Sequence, residues 1–375
     1  MKKVAIVNRT NLKNYGSILQ VYALYQVVRI LGYMPVIIWE KGNLSRNWDI
    51  RPKKMFSVIL KMISYPHLFI ETIKTFIEIR SNKIPDIKAD KFESFVNNYL
   101  DCRFYTYPEL KKLGASDEYH MFICGSDQVW SSTALYVDPM MYLRFSPKNK
   151  RIAYAPSLGR NYIPEYNVKQ MKRYIEEFDS ISVREQDGQC LVSTLIGKSV
   201  SLVLDPTLLL KKSEWDLVKL ESPYHNYILC YFLDSPKQEF INWLFQFATS
   251  HNLVIVTLNH NIPLTARVLV EIAGIEEFIG LVSASELVLT DSYHGMLFSI
   301  IYQKKFWCIE RNYAQHDQSS RQKSLLKLLG LGSRYVIDSS LIDMSDIDYV
   351  QVTEKLDKER ESSFSYLTGA LNKRK

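Results

Sequence analysis

The sequence predicts an α/β protein of two domains with mainly parallel sheets and an active site in the cleft between them. Three observations carry this. The chain has 375 residues, too many for one ordinary core and suited to two domains of roughly 150–200 residues each. Short apolar, strand-like runs alternate with longer helix-like runs, the pattern of parallel sheets covered by helices. The alternation breaks near residues 208–224, at Lys211-Lys212-Ser213 and Ser222-Pro223, and then starts again.

Residues 3–8 read as the first strand. The turn Asn14-Tyr15-Gly16-Ser17 follows, with Ser17 placed to cap a helix running to about residue 31. Further strands are expected at 35–39, 120–124, 151–155, 180–183 and 201–204. The second alternation begins at 227–232 and continues through 253–257, 287–290 and 306–309. The expected division is a first domain over 1–210, with a helical insertion at about 50–100, and a second over 211–345. The remainder, 346–375, should form a helix, about 344–367, packing back on the first domain. Segment 55–84 is apolar with interspersed lysines, and 51–91 holds nine Lys/Arg against four Asp/Glu. Two readings stay open: a helix pair facing the core, or an interfacial segment near anionic lipid, flanked by Lys53, Lys54, Lys61, Lys74, Arg80 and Lys83.

Hydrophobic residues make up 47% and charged residues 23%, which fits a folded protein rather than a disordered one. The net charge of +7 favours anionic partners, but no nucleic-acid module or dense basic run is present. The five cysteines are scattered, without a C-x-x-C pair, as expected of reduced thiols rather than disulfides or zinc ligands. Met1-Lys2-Lys3 runs directly into a strand, and no apolar stretch reaches 18 residues. A cytoplasmic location is expected, with peripheral contact at the inner face of the plasma membrane under the interfacial reading. The seven histidines lack metal-ligand spacing, so no metal and no bound cofactor are expected. A P-loop, a G-x-S-x-G elbow and a G-x-G-x-x-G fingerprint are all missing.

The chemistry-bearing residues gather where strands end, since open parallel sheets bind ligands beyond their carboxyl ends. The turn containing Asn14 and Gly16 leads into a helix N-terminus, a natural anion site. Ser126, Asp127 and Gln128 leave the strand that ends at Cys124. Ser157 and Gly159 leave the next strand, and Arg184 the one after it. An arginine there suits a carboxylate or phosphate through its fork of donors; its bland alternative is a salt bridge to Glu185 or Asp187. Thr290-Asp291-Ser292-Tyr293-His294-Gly295 is the strongest candidate. A histidine in that place can move a proton at a bound substrate near neutral pH. Arg311, His316, Arg321 and Arg334 add cationic groups beyond it.

Several of these runs together resemble the polysaccharide pyruvyl transferase family. They are Asn14-Tyr15-Gly16-Ser17 with Leu19-Gln20-Val21-Tyr22-Ala23-Leu24, then Gly125-Ser126-Asp127-Gln128-Val129-Trp130 and Tyr154-Ala155-Pro156-Ser157-Leu158-Gly159. Ser182-Val183-Arg184-Glu185, Leu204-Asp205-Pro206-Thr207 and Thr290-Asp291-Ser292-Tyr293-His294-Gly295 follow. They occur in family order over about residues 4–335. The resemblance implies two Rossmann-like domains facing across a cleft, as in two-domain, GT-B-type glycosyltransferases. It implies transfer of a pyruvyl group from phosphoenolpyruvate to two hydroxyls of a lipid- or nucleotide-linked sugar in surface-polysaccharide (capsule or exopolysaccharide) biosynthesis. His294 would then act as acid/base or as a phosphate ligand, and Asp127, from its place at a strand exit, is the expected second catalytic residue, activating an acceptor hydroxyl. The donor would be held by Arg184, Ser292, Arg321, Asn14 and Gly16, and the acceptor by Ser126, Gln128, Ser157 and Asp291. Ser292 departs from the family pattern, which carries an arginine two residues before this histidine, so either a donor contact is missing or Arg311, Arg321 or another residue replaces it. The competing readings are a glycosyltransferase or other glycan-modifying transferase using a nucleotide-sugar donor on the same scaffold, and a non-catalytic glycan-binding member.

Overall fold

A computed structural model describes residues 1–8, 14–40, 44–45, 48–49, 52–66, 68–69, 86–258, 261–311 and 319–373. Two parallel sheets organise it. The first contains β1 (Lys3–Val7), β2 (Met34–Glu40), β5 (Cys102–Tyr105), β6 (Met121–Cys124), β7 (Arg151–Ala153), β8 (Ser180–Val183) and β9 (Ser201–Leu202), in the order β5-β2-β1-β6-β7-β8-β9. The second contains β10 (Tyr227–Tyr231), β11 (Val254–Thr257), β12 (Val268–Val270), β13 (Leu287–Thr290), β14 (Lys305–Ile309) and β15 (Tyr335–Val336), in the order β12-β11-β10-β13-β14-β15. A small hairpin, β3 (Leu44–Ser45) with β4 (Trp48–Asp49), stands apart.

Both sheets step outward from their first strand in one direction and then reverse, which is the Rossmann order. The reversal falls between β1 and β6 in one sheet and between β10 and β13 in the other. Central strands such as Val4-Ala5-Ile6-Val7 and Leu287-Val288-Leu289-Thr290 are buried throughout. A parallel strand covered on both faces needs such a continuous apolar run.

The two domains share an apolar seam. Tyr15, on the helix Tyr15–Ile30 of the first domain, stacks on Phe278 of the second at a centroid distance of 4.7 Å. Its hydroxyl donates to the Ala273 carbonyl at 2.7 Å. Tyr22 of the same helix meets Trp215 of the second domain at 5.4 Å, and Trp215 packs edge to face on Phe298 at 4.7 Å. The 24-residue helix Tyr349–Asn372 crosses between the domains. Near its start Tyr349 donates to the Lys304 carbonyl of the second domain. Farther along, Ser363 Oγ accepts from the Leu204 amide and Tyr366 donates to the Ala153 carbonyl of the first.

Some elements differ from expectation. The first helix is capped by Asn14, whose side chain accepts from the Ser17 amide, not by Ser17 itself. An amide three residues on is the geometry in which Asn serves as N-cap. The final helix starts and stops about five residues later than expected, where Asp348 caps it by accepting from the amides of Val350 and Gln351. Within the expected helical insertion, the described residues form the helices Pro52–Ser64 and Asp86–Tyr99. Lys74, Arg80 and Lys83 lie outside the described residues. Among the cysteines, Cys124, Cys230 and Cys308 are buried, but Cys190 is exposed. Among the described residues no helix is long and apolar enough to cross a membrane.

Candidate functional site

The carboxyl ends of the two sheets meet, and each sends polar side chains into the seam. On the first domain, β6 ends in the turn Gly125-Ser126-Asp127. Gln20 and Asn8 hold it: the Ser126 amide donates to Gln20 Oε1, and Asn8 Nδ2 donates to the Ser126 carbonyl, both at 3.1 Å. Asp127 then adopts φ 69° and ψ −171°, a region that costs a side-chain-bearing residue on the order of 1–3 kcal/mol and persists where surrounding structure enforces it. The enforcement here is a bridge to Pro156 and an ion pair to Arg184.

Arg184, at the end of β8, has a fully buried side chain. Its guanidinium contacts Asp205 Oδ2 at 2.5 Å and Asp127 Oδ1 at 3.0 Å. These partners are neither of the neighbours, Glu185 and Asp187, that its sequence surroundings offered. Glu185 instead accepts from Ser157 Oγ and the Leu158 amide, tying the exits of β7 and β8 together. Asp205 is fixed from behind by Thr207, whose amide and hydroxyl both donate to Oδ1.

On the second domain, β13 ends at Thr290, whose hydroxyl donates to the Tyr231 carbonyl and accepts from the Ser292 amide. This turns the chain into the helix Tyr293–Ile301, capped by Ser292. His294 lies in the first turn and faces the first domain. Its Nε2 is 3.8 Å from Asp205 Oδ2 and is buried without a hydrogen-bond partner. Its ring lies against the backbone of Gly16, where a Cβ would fall inside the imidazole. Two helix N-termini therefore converge on His294, a favourable setting for a negatively charged ligand. The guanidinium groups of Arg184 and Arg321 lie 5.0 and 5.4 Å from the Tyr293 ring centroid. With its amide oxygen turned toward Arg321, Gln128 accepts from both terminal nitrogens at 3.2 and 3.3 Å.

The cluster sets its own protonation. Burial pushes the His294 pKa below its usual value; Arg184 and Arg321 push the same way, against Asp205 and Asp127. The imidazole is neutral at pH 7. Burial works against the Asp127 charge, but Arg184, His294 and Arg321 outweigh it and hold that carboxyl below the usual range. Burial raises Asp291 to about 6, despite the amides of Leu233 and Asp234 and the nearby Arg311. Among the described residues no group of three or more His, Cys, Asp or Glu side chains is placed to hold a metal ion.

A family model described as polysaccharide pyruvyl transferase matches residues 14–313. The chain belongs to the polysaccharide pyruvyl transferase family. No curated protein matches it significantly. Solved structures similar to this family member include a Listeria monocytogenes protein assigned as a UDP-N-acetylglucosamine 2-epimerase, at TM-score 0.52 and 9% identity, covering 99% of this chain and 92% of that one. A Staphylococcus aureus MnaA structure with UDP follows at TM-score 0.49 and 11% identity, covering 98% and 91%. An alpha-glucosyltransferase with UDP reaches 0.48 and 9%, covering 100% and 96%. The fold is the two-domain Rossmann-like architecture of GT-B enzymes.

Within this pyruvyl transferase scaffold, the seam gathers Gly16, Ser126, Asp127, Gln128, Arg184, His294 and Arg321. Asn14 and Ser292 cap their own helices. Ser157 is buried on Glu185. Asp291 accepts from the amides of Leu233 and Asp234 and lies near Arg311, on its own domain's rim. Arg334 is occupied by Ser345, Asp346 and the Trp307 ring. His316 lies outside the described residues. Sequence reasoning assigned no role to Asp205 or Tyr293. The signal for Asp205 was its place after β9, in the run Leu204-Asp205-Pro206-Thr207, which repeats the strand-exit pattern of the other site segments.

Gly16→Ala is expected to destabilise the protein by about 1–3 kcal/mol, the usual cost of forcing a methyl into a packed contact, and to lower activity by displacing His294. Urea unfolding alongside a turnover assay checks this. An unchanged midpoint with unchanged turnover would mean that the seam yields at no cost.

Proposed function

We propose that the chain transfers a pyruvyl group from phosphoenolpyruvate to two hydroxyls of one sugar in a lipid- or nucleotide-linked glycan precursor, forming a cyclic ketal. The observation that carries this reading is the cluster of an imidazole, a carboxylate and two guanidinium groups between the carboxyl ends of both sheets. The donor bears a phosphate and a carboxylate, which arginines and helix N-termini suit. Arg321 replaces the family arginine missing at Ser292, because it brings a guanidinium to the ring of the adjacent Tyr293.

Two protons must move. His294, as base, takes the proton of the first hydroxyl and passes it to the donor's methylene carbon as that oxygen bonds to C2. The second hydroxyl then bonds to C2 as the C2–O bond to phosphate breaks, and its proton leaves with the phosphate by way of Asp127. Each group returns to its starting state, and the products are the ketal carboxylate and inorganic phosphate. The test is mass spectrometry of a candidate acceptor after incubation with phosphoenolpyruvate. The expected gain is about 70 Da, a pyruvate less one water, with equimolar phosphate, as the proton bookkeeping requires. If uridine nucleotides protect the protein from thermal unfolding while phosphoenolpyruvate yields no product, glycosyl transfer replaces this reading.

A further inference from the structure

The helix Pro52–Ser64 is turned inside out. At about 100° per residue, Met55, Phe56, Ile59, Leu60 and Ile63 fall within an arc of roughly 140°. They are exposed, from 47% at Leu60 to 71% at Ile63, and Phe69 beyond the helix is exposed as well. The opposite side carries Lys61, and that side meets the protein. Lys61 Nζ donates to Asn167 Oδ1 at 2.5 Å and lies 5.2 Å from the centre of the Tyr166 ring. A soluble surface helix would present these two sides the other way round.

We propose that this helix lies in the surface of an anionic membrane, with its apolar face among the acyl chains. Charge decides between lipid and a second copy of the chain. The helix itself carries Lys53, Lys54 and Lys61 and no acidic residue, while Lys88 and Lys91 of the helix Asp86–Tyr99 are taken up by Tyr15 and Glu277. Two copies meeting here would bring like charges together, whereas an anionic lipid surface neutralises them. At 13 residues the helix is about 20 Å long, suited to lying in the interface and too short to span it.

The attachment is connected to the site. Asn167, which receives Lys61, donates to the carbonyls of Ser132 and Ala134. Ser132 in turn donates its amide to the Leu158 carbonyl, and Gly159 lies against Gln128. A continuous chain of contacts therefore links this helix to the Gln128 rim of the seam. On the function proposed above, that is where a sugar carried on a lipid would arrive.

Sedimentation of the full chain with vesicles of phosphatidylglycerol and phosphatidylcholine tests the proposal, with pure phosphatidylcholine vesicles as control. The wild type is expected to bind the anionic vesicles at low salt and to release at high salt, because screening shortens the reach of the basic residues. Phe56→Glu/Ile63→Glu, at two exposed positions, should lose roughly tenfold or more of this partitioning. It should keep its melting temperature and its turnover on a water-soluble acceptor. No binding by the wild type, or equal binding by the variant, overturns the proposal. A wild-type dimer that the variant splits, without vesicle binding, would assign the face to a second copy. Vesicle binding is read without chemistry, so a failed ketal assay leaves this result standing, and the converse holds.

Discussion

Turnover is expected to fall by about two to four orders of magnitude in His294→Ala, the usual worth of a positioned acid or base. The imidazole is the group in the cluster that is neutral at pH 7 and able to accept a proton, and its Nε2 has no partner to compete for that role. Burial lowers its pKa, so the acid limb of the wild-type kcat profile should fall below the ordinary imidazole value of about 6.5, and the variant should lack that limb. The stability linkage has a definite sign. The unfolded chain takes up the proton first, so the wild type loses stability as pH falls from about 6.5 toward the lowered folded value, and His294→Ala does not share that loss. Near neutrality the variant should melt within a few degrees of the wild type. A variant that unfolds yet keeps full specific activity would make His294 a packing residue.

Arg184→Met should cost on the order of 3–5 kcal/mol, because it strands the buried Asp205 carboxylate without its arginine partner. Asp205 is buried and meets Arg184 at 2.5 Å, and Asp127 shares the same guanidinium. Methionine fills similar volume, so the loss reports charge rather than a cavity. Arg184→Lys should fall between, since one ammonium cannot reproduce a fork that spans two carboxylates. Adding Asp205→Asn to Arg184→Met should restore part of the stability, since it removes the stranded charge. Urea midpoints of the four proteins decide this. An unchanged midpoint in Arg184→Met, with only the donor's KM raised, would show that the guanidinium serves the ligand and not the frame.

The parts of the fold that were legible in the sequence are those with buried, uninterrupted apolar runs. β1, β6 and β13 were placed within a residue or two because a strand covered on both faces of a parallel sheet reads as a near-continuous apolar run. β5, β12 and β15 were not seen. They stand at sheet edges, carry partly exposed side chains, and in β15 amount to two residues. Strand order was illegible because it depends on which helix covers which face. At the site, Arg184, Asp127 and His294 could be singled out as polar groups at strand exits, but their partners could not. Arg184 looked ready to pair with its neighbours in the chain, and it reaches instead across β9's exit to Asp205. The direction of the helix Pro52–Ser64 was equally hidden, because periodicity shows that a helix has an apolar side and not which way that side faces.

The helix Tyr349–Asn372 also bears on how the molecule is made. The Leu204 amide and its partner Ser363 are 159 positions apart, and the interior around the first sheet is completed by Leu367, Ala370 and Leu371. At about 5–20 residues per second of synthesis, the first sheet waits roughly 8–30 s for that cover. During this interval the ribosome is building the whole second sheet, so the half that emerges first is the half that is sealed last. The nascent chain must therefore carry an open apolar flank through most of the second domain's synthesis, and loss of the final two helical turns would leave that flank open for the life of the protein.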